Sequence, residues 1–96
     1  MQTKEIKFKT TDEDINRRTF NYNVSCTIKD MLLNFLRETN SKMVLKPNEI
    51  SFLYKALLIN KSDILNKKVG EIFRHKQNVA INVIDTNNII GGWYFI

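Results

Sequence analysis

Between Lys4 and Thr10 the chain alternates: Ile6 and Phe8 are apolar, Lys7 and Lys9 charged. A strand sends successive side chains to opposite faces, so this period of two predicts a strand with one buried face. Phe20, Tyr22 and Val24 repeat the pattern, with Thr19, Asn21 and Asn23 between them. The polar stretch TDEDINRR separates the two runs and suits a hairpin loop, so they read as an antiparallel hairpin. The period then changes. Ile28, Met31, Leu32, Phe35 and Leu36 fall at helical spacing on one stripe. Thr27 stands at the cap position with Asp30 three residues on, a variant of the capping box. Leu33 lies off the stripe. Asn40 and Ser41 end the helix, and Pro47 keeps the following segment extended.

Beyond that point Ile50–Tyr54 reads as a third strand and Leu57–Ile59 as a short edge strand. The segment NKSDILNKKVGEIF is mostly polar, but Ile64, Val69, Ile72 and Phe73 dip inward, which predicts a helical turn over Val69–Phe73. Val79, Ile81 and Val83 alternate again as the last main strand. The expected fold is α+β, with one helix on one face of a mixed sheet of four to five strands, because that buries both apolar faces most simply. A ferredoxin-like arrangement needs a second full helix, and residues 60–76 are too polar for one. The expected core is Ile6, Phe8, Phe20, Tyr22, Ile28, Met31, Phe35, Phe52, Ile59, Val69, Ile72, Phe73, Val79 and Ile81.

The order and details resemble the ubiquitin-like proteins of the β-grasp fold. Thr27-Ile28 stands where that family begins its helix. FLYKALLI (Phe52–Ile59) stands where it has an apolar strand and a tight return. Val69-Gly70-Glu71-Ile72 is similar to its leucine-serine-aspartate-tyrosine turn, and Val79 and Ile81 match its inward final-strand positions. The likeness covers roughly residues 4–84. It implies a non-enzymatic protein that works by binding other proteins. The family's best-known working surface is an apolar patch on the open sheet face. By this register its central isoleucine is Leu53, its turn glycine Ala56 and the following lysine Leu57. Its histidine and valine become Ala80 and Asn82. The patch is half kept, since Asn82 is polar.

The tail departs from the family. A ubiquitin-like domain is expected over residues 1–88, followed by an apolar tail over 89–96, IIGGWYFI. One reading is a modifier precursor, trimmed after Gly92 and conjugated through it, because Gly91-Gly92 can thread a narrow enzyme channel. The other is docking. Trp93, Tyr94, Phe95 and Ile96 are unfavourable in water and invite burial, on a partner or as an extra strand after the Asp85–Asn88 turn. Composition favours docking, since a conjugation tail needs solvation.

Ninety-six residues, 43% hydrophobic, make one domain with enough apolar material for a core. No run approaches the length of a membrane helix, so no membrane insertion is expected. The amino terminus lacks the apolar stretch of a secretory signal. Cys26 is the only cysteine, which fits a cytoplasmic or other reducing intracellular compartment. The net charge of +5 raises the prospect of a nucleic-acid or anionic partner. Against it, the chain has 12 Asn, 12 Ile and 11 Lys, the usage of an AT-rich coding genome, and its basic residues are scattered. Catalytic residues, metal and cofactor are expected to be absent. Cys26 and His75 fall on different loops and together cannot complete a zinc site. Asp12, Glu13 and Asp14 lack the glycine of a calcium loop and read as a solvated tip. The sequence names neither the partner nor the oligomeric state.

Overall fold

The computed structural model describes residues 2–39 and 50–85. Within them the chain is α+β, with a mixed five-stranded open sheet in the order β2-β1-β5-β3-β4. Strand β1 (Thr3–Lys9) alternates exposed and buried residues along its whole length. It pairs antiparallel with β2 (Phe20–Asn23), Ile6 standing opposite Phe20. The connection holds a short helical turn, α1 (Glu13–Asn16), where a plain loop was expected. Its cause is local: the Asp12 carboxylate accepts hydrogen bonds from the backbone N–H groups of Asp14 and Ile15.

The main helix, α2 (Ile28–Glu38), opens as the sequence predicts, with the Asp30 N–H donating to the Thr27 hydroxyl at 3.1 Å. Its last turn is closed by side chains. The Thr39 hydroxyl donates to the Phe35 carbonyl at 2.8 Å, and Arg18 donates to the Glu38 carbonyl at 3.2 Å. The Phe35 carbonyl also takes the Thr39 backbone N–H, whereas the Glu38 carbonyl is one that the helix itself leaves unpaired. The stripe Ile28, Met31, Leu32, Phe35 and Leu36 is buried against the sheet. Phe35 stacks on Phe8 with ring centroids 3.9 Å apart and meets Phe20 and Phe52 edge-on.

Strand β3 (Ile50–Tyr54) runs antiparallel to β5 (Asn78–Asp85), and β5 runs parallel to β1. Strand β5 is therefore central. Strand β4 (Leu57–Leu58) is a two-residue return along the edge of β3. Past it, the fully buried Asn60 continues the pairing with its side chain. Its amide accepts from the Phe52 N–H at 3.2 Å and donates to the Ile50 carbonyl at 2.8 Å. Two helical turns follow, α3 (Ser62–Leu65) and α4 (Val69–Ile72). A short ladder ties them to the start of α2: Ile28 N–H to the Lys67 carbonyl, Val69 N–H to Cys26, and Gly70 N–H to Val24.

The core agrees with the predicted set except at its margins. Ile72 is only partly buried, whereas Ile50 joins the buried cluster with Leu32 and Leu36. Among the described residues no helix is long and apolar enough to cross a membrane. The helix stop at Asn40–Ser41, Pro47, the Gly91-Gly92 pair, the apolar Trp93–Ile96 tail and its added strand lie outside the described residues.

Candidate functional site

Helix α2 covers one face of the sheet and leaves the other open. Pleating decides which side chains reach that open face. From β1 they are Glu5, Lys7 and Lys9; from β5, Asn78, Ala80, Asn82 and Ile84; from β3, Ser51 and Leu53. The register then sets neighbours. Lys7 stands beside Ala80, Lys9 beside Asn82, Asn82 beside Leu53, and Ile84 beside Ser51.

Four of the predicted surface residues separate in an instructive way. Leu53, Ala80 and Asn82 share the open face. Leu57 does not, because it pairs with Tyr54, whereas Leu58 is the residue opposite Leu53. Directly paired residues project to the same side, so Leu58 joins Leu53 and Leu57 projects with Tyr54 at the edge, 39% exposed. Ala56 lies exposed in the turn between β3 and β4, beside Lys55, whose φ of 57° is left-handed. The apolar cluster of the open face is thus Leu53, Leu58 and Ile84, all half-buried, with Asn82 as the polar residue against it. Sequence reasoning missed Leu58 and Ile84. The β5 alternation carried the signal for Ile84, since Val79, Ile81 and Val83 point inward. Leu58 depended on the length of the turn. Trp93, Tyr94, Phe95 and Ile96, like Gly91 and Gly92, lie outside the described residues.

Next to this cluster, β1 and β5 enclose a shallow trough of about 330 Å3, lined by Glu5, Lys7, Lys9, Asn78, Val79 and Ala80. Ala80 is the reason for it: a methyl group between longer neighbours leaves a gap. The lysine stems wall it with apolar carbon while their ammonium groups stay in water.

Other chemistry is placed elsewhere. The Cys26 thiol donates to the Thr27 carbonyl at 3.3 Å, and burial, with Asp30 nearby, pushes its pKa up. A thiol held protonated is a poor nucleophile. His75 is exposed in the turn after α4. The Asp12 carboxylate is used as a helix cap, and Asp14 reaches Arg17 at 3.5 Å on the solvent side. Among the described residues, no three His, Cys, Asp or Glu side chains gather closely enough to hold a metal ion. A scan against models of known protein families matches none of them, and no curated protein matches the sequence.

Proposed function

We propose that this chain is a non-catalytic, ubiquitin-like module of the β-grasp fold that binds another protein through its open sheet face and its apolar tail. The observation that carries the reading is the asymmetry of the sheet. One face is sealed by α2, while the other presents Leu53, Leu58 and Ile84 beside Lys7 and Lys9. A small apolar centre flanked by exposed cations suits a partner with an apolar anchor and an acidic rim. The tail adds Trp93, Tyr94 and Phe95, residue types that dominate binding energy in interfaces. The single cysteine fits a reducing intracellular compartment.

The test is a pair of open-face substitutions, Leu53→Arg and Ile84→Arg, with Leu33→Arg on the exposed side of α2 as a control. Loss of a partner recovered from native extract is expected for the first two and not for the control. Equal binding by all three would reject the sheet face. Gly91-Gly92 supports a second reading, a covalent modifier trimmed after Gly92. Intact mass from the native cell separates the two, because the modifier would lack residues 93–96. A third reading, an adaptor for nucleic acid, predicts affinity that falls steeply with salt.

A further inference from the structure

The strand directions give the sheet two ends. Strands β1 and β5 start at one end, and β2 finishes there. Strand β3 runs against β5 and finishes there too, so the Lys55-Ala56 turn into β4 lies at the same end. Backbone hydrogen bonds bring the start of α4 to it: the Gly70 N–H donates to the Val24 carbonyl, and the Val24 N–H to the Gln2 carbonyl. The turn after α4 joins them. The Glu5 N–H donates to the Gln77 carbonyl, and the Lys4 ammonium to the Lys76 carbonyl at 2.6 Å.

Charge is divided unequally between the two ends. Lys29, Lys55, Lys67, Lys68, Arg74 and Lys76, all exposed, belong to the end just described. The carboxylates nearby are Glu5, on the open face, Asp30 and Glu71, and Glu71 already accepts the Lys68 backbone N–H at 3.3 Å. At the opposite end, Asp12, Glu13, Asp14 and Glu38 offset the arginines beside them. The ion pair among the described residues, Arg17 with Asp14 at 3.5 Å, is there. Cations that are scattered along the sequence are thus gathered by the fold.

The neutral residues of the basic end narrow the partner. Gln2, Asn66 and Gln77 are exposed amides, a residue type that contacts phosphate and sugar oxygens alongside Lys and Arg. A protein interface needs an apolar centre, and here Leu57 stands alone at the β4 edge. Single strands bind by stacking bases on aromatic rings. Phe73 is buried, and Tyr54 meets it edge-on at 4.8 Å with the Lys55 ammonium 5.5 Å from its ring centre. The single helical turn α4 is too short to lie along a groove and read bases. We infer that this end binds the sugar–phosphate backbone of double-helical nucleic acid, without reading its sequence. The surface is separate from the open sheet face, so it stands whether or not the protein-binding reading holds.

Fluorescence anisotropy of a labelled mixed-sequence duplex, once as DNA and once as RNA, tests this with the full chain over a range of KCl. Neutralising about five phosphates gives a slope of log affinity against log salt of about −4. The double variants Lys67→Gln, Lys68→Gln and Arg74→Gln, Lys76→Gln should each make that slope shallower by about 2. Lys7→Gln, Lys9→Gln on the open face removes the same charge and should leave it unchanged. Binding of either duplex with this pattern is the expected result. Failure to bind either at low salt would overturn the inference. So would an equal loss in all three variants, which would make net charge the cause. Tighter binding to phosphatidylserine vesicles than to either duplex would assign the end to a membrane surface and overturn it as well. Circular dichroism checks that each variant folds; should one basic-end pair fail, the other carries the comparison with Lys7 and Lys9.

Discussion

Asn60 is a polar side chain doing the work of a strand. Buried amides cost stability unless both ends are bonded, and here both ends bond the β3 backbone. Asn60→Leu removes both bonds and leaves the Phe52 N–H and Ile50 carbonyl unpaired. At about 1–3 kcal/mol per buried unsatisfied group, a clear drop in the urea midpoint is expected; an unchanged midpoint would mean that water serves these groups equally well. Gly70 has a steric role. A Cβ there would lie 2.9 Å from the Val24 Cβ and 3.1 Å from its carbonyl oxygen, with backbone behind both. Gly70→Ala should cost about 1–3 kcal/mol, as overpacking does, despite the better helix propensity of alanine. Tyr22 reports on pH. Its hydroxyl donates to Asn34 at 2.9 Å, and burial, aided by Cys26 and Glu38, pushes its pKa well above the ordinary phenol value. The unfolded chain ionises first, so above roughly pH 10 it holds fewer protons than the folded one, and stability falls as pH rises; below that the contribution is complete. In an absorbance titration the Tyr22 phenol should ionise late, and Tyr22→Phe should remove that step.

At the scale of elements, α2 supplies the strongest test of the register. Phe35 meets Phe8, Phe20 and Phe52 at once, so its ring links the helix to three strands. Phe35→Ala should cost about 3–5 kcal/mol, a large share of the stability of a domain this size. Calorimetric unfolding measures it, and a near-neutral result would mean that the helix is not the lid of this core. The helix and the four longer strands were legible because each buries one face, which writes period 3.6 or period two into the chain. Elements without that requirement left no such trace. Helix α1 has only Ile15 packed against the core and arises from the Asp12 cap, and α3 contributes little more than Ile64 and Leu65. The open face was legible only in part. Its β5 residues follow from alternation, but whether Leu57 or Leu58 joins Leu53 turns on one residue of turn length, and a slip of one reverses the face. Asn60 gave no periodic signal, since its bonds run to backbone atoms brought close only by the return of β4.

Among the described residues, the open face sets the apolar cluster of Leu53, Leu58 and Ile84 against the polar Asn82, and under the proposed binding role that balance sets which partners fit. Asn82 stands directly beside Leu53, and Lys9 stands beside Asn82. A receptor shaped for the continuous apolar patch of ubiquitin would take the Asn82 amide out of water without bonding it. The loss is about 1–3 kcal/mol, which corresponds to roughly 5- to 150-fold in affinity. Such a receptor should therefore bind this chain weakly. Asn82→Val removes the amide while keeping a side chain suited to a central strand, so the fold should persist and affinity should recover by roughly 5- to 150-fold. Titration calorimetry with one ubiquitin-patch receptor, against the wild type and the variant, reads both numbers. Wild-type binding as tight as that of ubiquitin would show that Asn82 does not guard the face. An Asn82→Val variant that folds but binds no better would show that the geometry of Leu53, Leu58 and Ile84, rather than the amide, sets the partner.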